Sequence, residues 1–184
     1  RKDPQYTARA KRMRAIEMER LKGGSPEENE EIRELFRRIR ELPGCEKADG
    51  KQTGIGSLVY AVKPGDGSAR EQAASCQKVL GGWANIAREY ATKRYRSNLI
   101  NWGMLPLVYD EEKIPFGVGD YVFLPGIRRA VEEKAEAIQA YALRGDGTAV
   151  PFQVKLGALT EDERKIILAG CLINFNRENA KSAQ

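Results

Sequence analysis

Beyond Gly56 the chain is cut into short apolar runs, set apart by turn signals and by stretches of helical period, and no other feature restricts its fold so strongly. The runs are Ser57–Val62, Trp83–Ala87, Leu105–Tyr109, Asp120–Leu124, Ala137–Leu143 and Val150–Leu156. Their length predicts strands, the first of them buried, and the last two flank Arg144-Gly145-Asp146-Gly147-Thr148 as a hairpin. Apolar spacing between the runs predicts helices over Ala69–Leu80, Tyr90–Trp102, Pro125–Glu132 and Glu161–Asn176, the last opened by a capping box of Thr160 and Glu163. Strands alternating with helices in this way belong to an α/β or α+β class.

The segment before these runs follows a different pattern. Tyr6, Ala10, Met13, Ile16 and Leu21 recur at helical spacing until Gly23-Gly24 stops them. Ser25, Pro26 and Glu28 then read as N-cap, first helical residue and capping-box glutamate of a second helix. Its stripe is Ile32, Leu35, Phe36, Ile39 and Leu42, ended by Pro43-Gly44. Residues 1–46 are therefore expected to be a helical hairpin, inserted or appended, and 47–184 the main domain, entered through the polar loop Lys47–Gly56. The stripes must lie on something, either the main body or another domain. The chain opens on Arg1 rather than methionine, and an extension upstream of it is expected.

Composition narrows the chemistry. With 184 residues the chain has the length of one domain with appendages, and its 41% hydrophobic and 31% charged residues suit a globular fold. It contains no histidine, which excludes a serine-histidine-aspartate relay, a histidine base and a histidine metal ligand within it. Cys45, Cys76 and Cys171 are too widely and unevenly spaced for a disulfide framework or a metal-site motif. Reduced thiols and a cytoplasmic location are the expectation, with Cys76 as a buried small side chain on its helix. No apolar run reaches the length of a membrane span. The net charge of +5 is mild and the charges are interleaved, so the Arg9–Arg14 cluster reads as a solvated helix face, as do Lys93, Arg94 and Arg96. One of the latter three is also a candidate for meeting substrate or a partner domain. Trp83 and Trp102 read as core aromatics.

One corner carries chemistry. Lys63–Cys76 joins the first strand to a helix, with Gly65 and Gly67 letting the backbone turn, Ser68 at the mouth and Arg70 in the first helical turn. Free N–H groups and the positive end of the helix dipole at such a junction suit a carboxylate or phosphate, and a guanidinium can fork around it. The plainer reading makes Ser68 an N-cap and Arg70 a surface charge.

Gly67-Ser68-Ala69-Arg70-Glu71, the double glycine Gly81-Gly82, Asn98-Leu99 and Leu105-Pro106-Leu107 stand in an order and spacing that resemble the C-terminal swivelling domain (domain 4) of the aconitase / 3-isopropylmalate dehydratase family. Gly117–Gly126, the Gly145-Asp146-Gly147-Thr148 turn and Ala169–Arg177 look like later parts of the same domain, so the resemblance runs from about Ser57 to Arg177. It implies a β/β/α swivelling domain, here with an extra N-terminal helical hairpin, that closes over a hydroxy di- or tricarboxylic acid held at a 4Fe–4S cluster. The cluster would be bound by other domains, fused upstream or in a separate large subunit, and none by this chain.

By the same resemblance Ser68 is the base that removes a proton beside a carboxylate, and Gly67, Ser68, Ala69 and Arg70 bind substrate. Ala69 replaces the family's second serine and Gln72 a usual histidine, so citrate is not fixed as the substrate. The expected activity is that of a carbon–oxygen hydro-lyase active only with the cluster-bearing domains. Two rivals stand beside it: an RNA-binding regulator of the cluster-free kind, though nucleic acid is not the expected partner, and a non-catalytic interaction module.

Overall fold

The computed structural model describes residues 3–182; Arg1, Lys2, Ala183 and Gln184 lie outside the described residues, as does the side chain of Ser182. All the predicted strands form, with ends within two residues of those expected. β1 (Ser57–Ala61), β2 (Gly82–Ala87) and β3 (Leu105–Val108) make a parallel sheet in that order. β4 (Tyr121–Phe123), β5 (Ile138–Leu143) and β6 (Ala149–Val154) make an antiparallel one. Val108 and Lys155 exchange backbone hydrogen bonds of 2.7 and 2.9 Å, which ties the end of β3 to the end of β6. β1 is half-buried along its length rather than buried, because it is an edge strand covered by one neighbour only, and Val62 beyond it is 57% exposed.

The period-2 rule sorts side chains between faces. Ala84 and Ile86 of β2, Leu105 and Leu107 of β3, Ile138, Ala140 and Ala142 of β5, and Phe152 and Val154 of β6 fill the core between the sheets. Val131 of α5 (Ile127–Glu132) and Ile166 and Ile167 of α6 (Glu161–Ala169) join them. The opposite face of the parallel sheet carries α3 (Arg70–Val79) and α4 (Lys93–Asn101) through Ala74, Tyr95, Leu99 and Met104. The opposite face of the antiparallel sheet is covered by the N-terminal hairpin. Ile32, Phe36 and Ile39 of α2 (Glu30–Arg40) and Met13 of α1 (Tyr6–Leu21) pack with Leu143, Tyr121, Phe123 and Tyr141. The apolar stripes thus lie on the main body. Burying each of these large side chains contributes about 1.5–3 kcal/mol.

Polar links fix the hairpin in place. The Glu17 carboxylate, 7% exposed, accepts from Ile55 N–H at 3.0 Å and is forked by Arg20 at 2.7 and 2.8 Å. Arg38 Nη2 donates to the Arg144 carbonyl at 2.9 Å.

Several boundaries differ from the sequence expectation. Ser25 caps nothing: Pro26–Glu28 is a single 3-10 turn, and α2 starts four residues on, where Asn29 Oδ1 accepts from Ile32 N–H at 3.2 Å. Glu28 therefore completes no capping box. α4 opens after Thr92, whose hydroxyl accepts from Tyr95 N–H, so Tyr90 precedes the helix. The final helix is broken at Gly170, φ +89°, into α6 and α7 (Leu172–Ser182). The Thr160–Glu163 capping box is present in both directions, at 3.2 and 2.8 Å. No helix among the described residues is long and apolar enough to cross a membrane.

Candidate functional site

The corner lies where β1 gives way to α3, at the carboxyl end of a parallel sheet, the end at which open α/β sheets bind ligands. Gly65 turns at φ +95° with its α-carbon against Tyr95, and a Cβ there would lie 2.4 Å from Tyr95 Cβ. The turn presents the Gly65 carbonyl to two donors, Thr92 Oγ1 at 3.0 Å and Arg70 Nε at 3.2 Å. Thr92 thus ties the corner to the start of α4, because the same hydroxyl accepts from Tyr95 N–H at 3.2 Å. Backbone bonds from Glu89 N–H to Val62 O and from Ala91 N–H to Pro64 O, 3.2 and 2.9 Å, hold the approach to the corner.

Gly67, Ser68 and Ala69 are exposed and Arg70 is half-buried. The N-cap of α3 is Ala69, not Ser68, so the hydroxyl is not spent on capping. Among the described residues Ser68 Oγ has no hydrogen-bond partner, and Arg70 uses only Nε, on Gly65 O. A guanidinium anchored through Nε keeps both Nη groups for an incoming carboxylate. The predicted site residues Gly67, Ser68, Ala69 and Arg70 are chain neighbours and form the exposed rim of the corner, with Arg70 half-buried.

Behind the rim lies a buried polar network. Tyr95 OH accepts from Asn85 Nδ2 at 2.8 Å and from Gln77 Nε2 at 2.9 Å, while Asn85 Oδ1 is buried with no partner among the described residues. Burial pushes the Tyr90 phenol far above its ordinary range, and its hydroxyl lies 2.9 Å from the Leu107 carbonyl and 3.1 Å from that of Asn85. Spacing gives no sign of this network, which joins strand to helix across the sheet. Thr92 carries a readable signal, a threonine just before a helix.

Other expectations divide. Lys93 and Arg94 are exposed, but Arg96 turns inward, donating to the Ala158 carbonyl at 2.6 Å. In the Arg9–Arg14 cluster, Arg9 pairs with Asp3, and Arg12 pairs with Glu31 at 3.0 Å. Cys76 is exposed rather than buried: it sits two residues, about 200° of helical turn, from Ala74, the buried residue of α3. Trp83 is 40% exposed rather than a core aromatic, because alternation along β2 gives Ala84 and Ile86 to the core. Its ring lies against Gly54 and Gly56, with Lys78 Nζ 5.5 Å from the centroid. Trp102 is half-buried, and its indole N–H donates to Glu71 Oε1 at 2.6 Å.

A cavity of about 740 Å³ lies away from the corner. It is bounded by Phe36, Ile39, Ile55, Trp83, Phe123 and Leu143, among others, and Gly67–Arg70 do not line it. No three His, Cys, Asp or Glu side chains among the described residues converge to hold a metal ion.

Comparison with known proteins gives a family match. The model of the aconitase C-terminal domain matches residues 18–112, from within α1 to the loop after β3. The chain is similar to aconitate hydratase A of Rickettsia bellii (strain RML369-C), 26% identical over 139 residues, which are 73% of this chain and 16% of that protein. It is also similar to the aconitase-ribosomal protein bL21m fusion protein of Schizosaccharomyces pombe (strain 972 / ATCC 24843). There the identity is 31% over 123 residues, 64% of this chain and 13% of that protein. The chain thus spans less than a fifth of the length of either relative.

Proposed function

The chain belongs to the aconitase C-terminal domain family, and from that premise we propose that it is the swivelling domain of an aconitase-like hydro-lyase. The complete enzyme would reversibly dehydrate a hydroxy di- or tricarboxylic acid in a cytoplasmic compartment. Its 4Fe–4S cluster would sit on partner domains, outside this chain. Residues 47–184 would form the swivelling domain proper and 1–46 its appended layer.

One observation carries the reading: an exposed hydroxyl with no partner among the described residues, Ser68, stands just before α3, two positions ahead of Arg70, whose guanidinium is anchored by Nε alone. A serine hydroxyl is a poor base in water, and its alkoxide needs surrounding positive charge. Arg70 and the amino end of α3 supply that charge from one side. Arg70 Nη1 and Nη2 would hold one substrate carboxylate and set the adjacent C–H toward Ser68 Oγ, which takes the proton. The rim is open in this chain, so the opposite wall of the site would come from the partner domains, which would also exclude water on closure.

RNA binding draws little support, since Arg9 and Arg12 of the densest basic cluster are engaged by Asp3 and Glu31. The test is Ser68→Ala in the complete assembly. Turnover should fall by about 10²–10⁴-fold while the cluster absorption spectrum is unchanged. Turnover at the parent rate would remove Ser68 from the mechanism.

A further inference from the structure

Although Arg70 opens it and Ser68 lies just ahead of its N-cap, α3 has no side-chain cap of its own. It opens on Ala69 with no side-chain hydrogen bond to its first turn. Alanine is among the poorest N-cap residues, and an uncapped first turn leaves N–H donors without side-chain acceptors.

The neighbouring helix provides the missing acceptor. With its amide oriented by the groups it faces, Asn98 of α4 accepts from Glu71 N–H at 3.0 Å. Its nitrogen donates to Glu71 Oε2 at 3.1 Å and to the Arg94 carbonyl at 3.3 Å. One turn further along α4, Trp102 Nε1 takes the other carboxylate oxygen, Oε1, at 2.6 Å. Residues four apart share a helix face, so a single face of α4 holds the N–H and both carboxylate oxygens of Glu71.

We propose that Asn98 is a positioning residue, a cap lent by α4 to α3, and that Glu71 and Trp102 complete the clamp. The arrangement fixes the first turn of α3, and with it Ser68 and Arg70, without using the Ser68 hydroxyl as the cap. It also commits the Glu71 carboxylate to α4, so that the negative charge next to Arg70 does not compete with an anionic ligand for the guanidinium. The catalytic part of the proposal rests on the reading of Ser68 as base; the clamp itself does not.

A side-chain exchange separates the two. Asn98→Asp keeps the acceptor for Glu71 N–H but sets one carboxylate against another. Combining it with Glu71→Gln restores the contacts between the two side chains with donor and acceptor reversed, only the 3.3 Å bond to the Arg94 carbonyl being given up: the glutamine amide donates to the aspartate and its oxygen still accepts from Trp102. Amide hydrogen exchange across Gly67–Ala73 is measured in the complete protein, together with kcat and KM for a polycarboxylate substrate.

Asn98→Asp should speed exchange in the first turn of α3 while the rest of α4 stays protected, and should lower kcat/KM by about 10²-fold, the cost of small misplacement at a reacting centre. The double variant should recover both. Unchanged exchange in Asn98→Asp, or no recovery in the double variant, overturns the clamp. Faster exchange with unaltered kcat/KM overturns the positioning role. Ser68→Ala reports separately on the base: if turnover survives that substitution the catalytic reading fails, while the exchange data still decide the clamp.

Discussion

At the residue scale the corner depends on Gly65. Its φ of +95° lies in a region that side-chain-bearing residues rarely adopt, and a Cβ would meet Tyr95 at Cβ and Cγ, 2.4 and 2.6 Å away. Tyr95 is 3% exposed and held by Asn85 and Gln77, so it has no room to retreat. Gly65→Ala should cost at least about 1–3 kcal/mol from backbone strain alone, read as a lowered urea midpoint. Because the Gly65 carbonyl anchors Arg70 Nε, the variant should also raise KM for a carboxylate substrate in the complete assembly. A variant of parent stability and KM would show that the turn is not needed. The parts of this corner that are legible in the sequence are those encoded next to one another: glycines for the turn, Ser68, Arg70. What fixes them is encoded elsewhere, Thr92 lying 27 residues from Gly65, and contacts at that separation leave no trace in local spacing.

At the scale of elements, the hairpin and the loop after it are joined through Glu27. Its carboxylate accepts from Arg40 Nη2 at 2.6 Å and from Gly50 N–H at 3.1 Å, while Arg40 Nε reaches the Ala48 carbonyl at 2.9 Å. The Arg40 hydrogen bond, opposed by some desolvation and helped by Gly50, holds the Glu27 carboxyl below its ordinary range. A carboxyl whose pKa is depressed on folding adds stability above its unfolded value, about 4.3, and loses it as the pH falls through the depressed one. Wild type should therefore exceed Glu27→Gln in stability at neutral pH, with the gap closing below about pH 4. Urea titrations at a series of pH values measure it, and a gap that does not narrow in acid would exclude the charged contact. Glu27 reads from sequence as part of a helix start, since Ser-Pro-Glu-Glu satisfies the capping pattern. The chain instead spends that glutamate on the loop and begins α2 at Asn29. Likewise Gly170 stands within a continuous apolar pattern, and only its left-handed conformation divides α6 from α7.

For the whole molecule, the question is whether the N-terminal hairpin is a passenger or part of one cooperative unit. Adjacent residues of β5 answer to different cores: Ala142 is buried between the sheets, and Leu143 is buried under α2. Neither core can be lost without disturbing the strand that bounds the other, so melting should be a single transition. The alternation of apolar residues on both faces of β5 is visible in the sequence, but which partner covers the second face is not, because α2 is remote in the chain. Phe36, 1% exposed, is the largest side chain α2 buries there, and Phe36→Ala should cost about 3–5 kcal/mol. Far-UV circular dichroism follows the helices, hairpin included, while the two tryptophans, Trp83 on β2 and Trp102 at the end of α4, report on the parallel sheet and its helices. Both probes should shift to lower urea together in Phe36→Ala. Loss of helical signal at a urea concentration where tryptophan emission is still native would instead mark residues 1–46 as an independently melting appendage on a self-sufficient domain.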